Sequence, residues 1–127
     1  MLRRANTGYQ DGKYSVIAGH LDGGELATRA LAREAKEEAG ISVDAKNMTF
    51  VHAVHRLDNR QGSERVDFFF EADQWTGEIT NAEPNKCDDL SWFRLDRLPE
   101  NMLPLIRLVL IDVERGINYS EYVHEPI

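Results

Sequence analysis

Three glutamates, Glu34, Glu37 and Glu38, lie within five consecutive residues and are preceded by Arg33. At about 100° per residue, a helix over residues 26–39 gathers them on one arc. Thr28, Leu31, Ala32, Ala35 and Ala39 form a second, mostly apolar arc, and Arg29, Arg33 and Lys36 a third. Gly40 follows where a left-handed cap ends a helix. The acidic arc is costly for a helix. Glu34 and Glu38 are like charges one turn apart, a penalty of about 0.2–0.5 kcal/mol, and all three acids sit in the half where the helix dipole disfavours negative charge. Two readings remain. The face is merely solvated, with Arg33 and Glu37 paired, or it gathers hard oxygen ligands for Mg²⁺ or Mn²⁺.

The wider spacing separates them. Residues 19–41 read G-x5-E-x7-R-E-x2-E-E-x-G, with Ile41 behind. This pattern resembles the signature of the Nudix hydrolases at all seven fixed positions. A chance match at one start is on the order of 10⁻⁸ from average residue usage. Ala35 departs from the pattern, being small where the family has a bulky aliphatic. A weaker resemblance to the MutT-type branch runs from RRANTGYQDG to LSWFRLDRLP. The resemblance implies an α/β fold, an α/β/α sandwich with a mixed curved sheet between two helices. It also implies a metal site built from Glu34, Glu37, Glu38 and the backbone carbonyl of Gly19, with Glu25 and Arg33 standing behind the ligands. The implied reaction is metal-dependent hydrolysis of a nucleoside diphosphate linked to another group. A nucleoside triphosphate, giving monophosphate and pyrophosphate, is the favoured substrate. A non-catalytic Nudix-fold module that senses a nucleotide or a protein is the alternative, but such modules lose box carboxylates that this chain keeps.

The 127 residues, 42% of them hydrophobic, suit a single domain over 1–127. The net charge of −7 argues against polymeric nucleic acid as partner and leaves a small nucleotide. No run reaches the apolar length of a membrane span, and the lone Cys87 fits a cytoplasmic setting. Met1 to Arg4 reads as the end of a strand, so either the sequence begins inside a longer natural chain or the strand that the family usually has before it is missing. An edge left unpaired there needs covering, and a homodimer is one way to cover it.

Along the chain, residues 14–18 read as a strand entering the box. Asp22 and Glu25 have capping-box spacing, so Glu25 caps the helix, orients Arg33, or does both. Residues 48–57 form a strand with His52 and His55 on opposite faces. Residues 66–72 read as a buried central strand, and residues 90–94 as a strand carrying Trp92. The polar loop between them holds the candidate base. The resemblance favours Glu83, with Glu64, Glu78, Asp88 and Asp89 as rivals. Arg3 and Arg4 are candidates for phosphate oxygens and Trp92 for a stacked base, against the plainer reading of a charged strand end. Pro104 opens an amphipathic helix that Gly116 closes. The tail after it is expected to be extended and anchored by Tyr119 and Tyr122.

Overall fold

The computed structural model describes residues 1–124 other than His20, Asp22 and Gln61. Its elements run in the order β1 (Leu2–Arg4), β2 (Tyr14–Ser15), α1 (Ala27–Ala39), β3 (Met48–Asp58), β4 (Ser63–Ala72), β5 (Cys87–Leu90), α2 (Pro104–Glu114) and β6 (Tyr119–His124). They divide into two compact units: Met1–Met48 with Ala72–Leu103, and Thr49–Glu71 with Pro104–Ile127. No helix among the described residues is long and apolar enough to cross a membrane.

In the first unit β1 lies between β2 and β5, antiparallel to both, with Leu2 opposite Ser15 on one side and Leu90 on the other. Phe93 packs edge-on against buried Tyr14, with ring centroids 4.9 Å apart. The Tyr14 hydroxyl donates to Asp89. Strand β2 is shorter than the 14–18 expected. Ile17 turns into the core under α1, and the Ala18 N–H donates to the Glu38 carboxylate. The 90–94 strand is also displaced, ending at Leu90.

Helix α1 starts one residue later than expected, and Leu26 at its N-cap makes no side-chain cap. Glu25 does not cap it, because Arg33 holds that carboxylate; Asp22 lies outside the described residues. The buried side of the helix is small. Ala30, Ala35 and Ala39 are buried, and Ala35, Ala39 and Ile41 pack with Ile17, Val43 and Ile79. Of the expected apolar arc, Ala35 and Ala39 are buried and Leu31 is only half-buried, while Ala30 was not foreseen.

Gly40 ends the helix as expected, at φ 69°, its N–H donating to the Lys36 carbonyl at 3.1 Å. A Cβ there would stand 2.9 Å from the Thr80 hydroxyl. Gly40→Ala is therefore expected to cost about 1–2 kcal/mol, mostly from the left-handed backbone, measured as a lower denaturant midpoint with an unchanged slope.

In the second unit β3 lies between β4 and β6. Strand β6 runs parallel to β3, from Ala53 opposite Tyr119 to Asp58 opposite His124. The connection from Asn59 to Gly62 is too short for a parallel crossover, so β3 and β4 form an antiparallel hairpin and the sheet is mixed. His52 and His55 separate as expected. His52 is fully buried, with Nδ1 2.9 Å from the Ile117 carbonyl and Nε2 2.8 Å from the Ser120 hydroxyl. His55 lies 2.7 Å from Glu64. The parallel ladder and the His52–Ser120 bond fix the tail. The Tyr119 side chain is half exposed and meets only Glu121 of its own strand among the contacts described, while Tyr122 is half-buried with its ring 6.3 Å from that of His124. Helix α2 buries Ile106 and Val109.

One expectation fails clearly. Strand β4 is not central but stands at the end of its sheet, with Val66 and Phe68 each 52% exposed. A continuous apolar run reports an apolar strand and does not say which neighbours flank it.

Candidate active site

Arg33 organises the acids of α1. Its guanidinium forms a two-pronged pair with Glu25, both contacts at 3.1 Å. It also reaches Glu34 at 2.9 Å and Glu37 at 3.5 Å. The sequence makes this possible locally, since Glu37 is one turn beyond Arg33 and Glu34 is its neighbour. A planar fork suits paired carboxylate oxygens better than a point charge does. Arg33 holds the Glu25 carboxyl below the usual carboxylate range.

Glu38 has a different environment. Burial pushes its carboxyl up to about 7, and the charge of Glu34 adds to the effect. The Ala18 N–H, 3.3 Å away, pulls the other way, while Glu83 and Glu37 add smaller upward pushes. Four carboxylates thus share one neighbourhood without enough cations for all of them.

Gly19 is pressed against this cluster. A Cβ at that position would stand 2.3 Å from Oε1 and 2.5 Å from Cδ of Glu34. The obstacle is the end of a flexible side chain, so Gly19→Ala should leave the fold intact and displace the Glu34 carboxylate. The expected result is unchanged thermal unfolding without divalent ions and a stabilisation by Mg²⁺ or Mn²⁺ at least halved. An unaltered metal-induced shift would show that Glu34 is dispensable for binding.

The loop after Ile79 closes over the end of α1. The Thr80 N–H donates to the Ala39 carbonyl at 3.0 Å and the Ala82 N–H to the Glu38 carbonyl at 3.2 Å. These carbonyls belong to the last turn, where a helix leaves acceptors unpaired. Asn81 then accepts the Glu83 N–H at 3.2 Å and donates to the Cys87 carbonyl at 2.6 Å. The Glu83 carbonyl takes the Lys86 and Cys87 N–H groups. Glu83 is thereby brought beside Glu38. Asn81 was missed by sequence reasoning, although an asparagine two residues before a turn-forming Glu-Pro is a local signal.

The rivals of Glu83 are engaged or apart. Asp88 pairs with Arg3 at 2.6 Å, Asp89 accepts from Tyr14 and Ser91, and Glu64, in the other unit, pairs with His55. Glu78 is exposed. Arg3 also lies 5.7 Å over the Tyr14 ring. Arg4 donates to the Tyr9 carbonyl and the Thr7 hydroxyl. Both arginines are thus held by protein acceptors and would have to exchange them to meet phosphate. Trp92 is 77% exposed and stacks on Trp75, with centroids 6.2 Å apart. Trp75, not anticipated from the sequence, lines a cleft of about 530 Å³ with Asp44, Lys46, Asn47 and Gln74.

Among the described residues no three His, Cys, Asp or Glu side chains are grouped so that they could hold a metal ion, and Arg33 bonds both Glu34 and Glu37. The donor set nevertheless fits a hard divalent cation: carboxylate oxygens in mutual repulsion on a rigid helix, with Gly19 leaving room beside Glu34.

The NUDIX domain family matches residues 1–112. The crystal structure of a MutT NUDIX hydrolase from Burkholderia pseudomallei superposes with a TM-score of 0.78 and 29% identity, covering 87% of this chain and 83% of that one. A NUDIX hydrolase from Nitrosomonas europaea, 15% identical with a TM-score of 0.64, covers 98% of this chain and 70% of its own, and shares the fold. The NAD-capped RNA hydrolase NudC of Shigella dysenteriae is 31% identical over 105 residues, 83% of this chain and 37% of its own. That of Pseudomonas aeruginosa is 32% identical over 88 residues, 69% of this chain and 29% of its own. The chain spans about a third of the length of these curated relatives. The expected α/β class holds, and the chain belongs to the NUDIX family of hydrolases.

Proposed function

We propose that this protein hydrolyses the phosphoric anhydride of a nucleoside diphosphate linked to another group, with a nucleoside triphosphate split into monophosphate and pyrophosphate as the favoured reaction. The observation that carries it is the convergence of Glu34, Glu37, Glu38 and Glu83 around the end of α1, beside Gly19. The net charge of −7 favours a small substrate over a polymer. Glu34, Glu37, Glu38 and the Gly19 carbonyl would hold a Mg²⁺ or Mn²⁺ ion, which would supply Lewis acidity and neutralise phosphate charge.

The chain's own residues do the rest. Arg33 fixes Glu34 and Glu37 in orientation, and Glu25 fixes Arg33. Glu83 takes the proton of the attacking water as its oxygen bonds to phosphorus. The bridging P–O bond breaks, and the leaving group, pyrophosphate or the nucleoside monophosphate according to which phosphorus the water attacks, departs with the electron pair. Arg3, Arg4 and Trp92 are the candidates for holding phosphate and base. The lone Cys87 accords with work in the cytoplasm.

A second reading has its own support. The similarity to NAD-capped RNA hydrolases makes the pyrophosphate bridge of NAD an alternative substrate bond. Product analysis over nucleoside triphosphates, NAD and NAD-capped RNA, with Mg²⁺ and Mn²⁺, distinguishes them. Pyrophosphate release from a triphosphate is the expected result. Two mononucleotides from NAD without triphosphate turnover would replace the first reading by the second. Tight binding without turnover of any substrate would favour a sensing module.

A further inference from the structure

Among the described residues, two cationic side chains meet the acids around the end of α1. Arg33 is held by Glu25, Glu34 and Glu37. The other is Lys86, whose ammonium lies 3.9 Å from Oε2 of Glu83, and the reaction above gives it no task. Its backbone is fixed on both sides. The Lys86 N–H donates to the Glu83 carbonyl at 2.9 Å, and the Lys86 carbonyl accepts the Ala5 N–H at 2.9 Å. Next to it, the Asn6 side-chain amide donates to the Asn85 carbonyl at 3.1 Å. These bonds tie Lys86 to the turn that carries Glu83 and to the segment just after β1, so the root of its side chain stays beside the acid.

The ammonium itself is held far less firmly. A separation of 3.9 Å is beyond hydrogen-bond range, and among the described residues no hydrogen bond holds it. The side chain is 68% exposed, so the pair with Glu83 separates at little cost. The arginines near β1 differ. Arg3 bonds Asp88 at 2.6 Å, and Arg4 bonds the Tyr9 carbonyl at 2.8 Å and the Thr7 hydroxyl at 3.2 Å. A phosphate would have to displace formed hydrogen bonds at either arginine, but only a loose ion pair at Lys86. Phosphate oxygens brought next to Glu83 would also face a bare carboxylate unless a cation stood between them. A compact ammonium with three donors can fill that place. Resting on the hydrolytic reading above, we propose that Lys86 is a substrate-binding residue: its ammonium turns from Glu83 to a nonbridging phosphate oxygen of the bound nucleotide, leaving the Glu83 carboxylate open to the attacking water.

Kinetics and a binding measurement without turnover test this together. The contact exists before and during attack, so Lys86→Gln should raise KM for a nucleoside triphosphate about tenfold and leave kcat nearly unchanged. Its affinity for inorganic pyrophosphate, titrated calorimetrically in Mg²⁺, should fall by about the same factor. Lys86→Arg keeps the charge and should stay close to wild type in both. Thermal unfolding of the two variants should match wild type, because the pair they alter is exposed. Wild type that binds no pyrophosphate would overturn the proposal, as would Lys86→Gln binding it as tightly as wild type. A fall in kcat with KM unchanged would overturn it too, since Lys86 would then act only on Glu83. If wild type splits no triphosphate, the favoured reaction fails, and the pyrophosphate titrations alone still decide the role of Lys86.

Discussion

Glu38→Gln is expected to lower kcat by about 10³-fold, the scale seen when a preorganised charge is removed from a site of charge neutralisation. The amide keeps the shape of the side chain but loses the charge, so the fold should persist. Stability should move the opposite way. In the folded protein the Glu38 carboxyl is raised from 4.5 to about 7, chiefly by burial and next by Glu34. Between those values the folded state retains a proton that the unfolded state has released. Metal-free stability therefore falls as pH rises from about 4.5 to 7 and stays low above it. Glutamine has no such penalty. In chelator at pH 8 the variant should be more stable than wild type by about 1–3 kcal/mol, discounted for partial exposure, and the difference should vanish near pH 4.5. Thermal melts over pH read the crossover directly. A variant no more stable than wild type at pH 8 would mean that water or motion already relieves the crowding.

Glu83→Gln should depress kcat by about 10²–10⁴-fold, the range of a positioned general base, while KM stays nearly constant. A proton acceptor acts in the transition state and contributes little to holding the substrate, so kcat and kcat/KM fall together. Glu64→Gln should do much less, because that carboxylate is engaged with His55 on the β3–β4 hairpin. The reverse ranking would move the base to β4. Steady-state kinetics of both variants at saturating metal make the comparison, and a rise of KM alone for Glu83→Gln would reassign that residue to binding.

What could be read in advance depended on how local the cause was. The box helix, its Gly40 cap and the acidic arc are set by spacings within a few turns, and they stand where the sequence puts them. Glu83 was reachable through the resemblance, but the bonds that hold its loop run from Thr80 and Ala82 to residues some forty positions earlier, which no local pattern encodes. Arg3 shows the same limit, since its partner Asp88 is 85 residues away. The strand at 14–18 shortened because a carboxylate from α1 took the Ala18 amide. The VDFFFEA run misled for another reason. Composition signals how apolar a strand is, and edge or centre is decided by which strands come to lie beside it.

The two amides that bond the end of α1 also act as a ruler on chain length. Thr80 and Ala82 are registered to Ala39 and Glu38, and Glu83 follows at once, so no slack separates the helix from its acid. An added residue between Thr80 and Glu83 would slide the carboxylate by about 3.3 Å, farther than a hydrogen bond can stretch. Beyond Pro84 no such constraint applies. Insertions and deletions among related chains should therefore be absent from 80–83 and collect after it, leaving a length-invariant segment in a loop that otherwise varies.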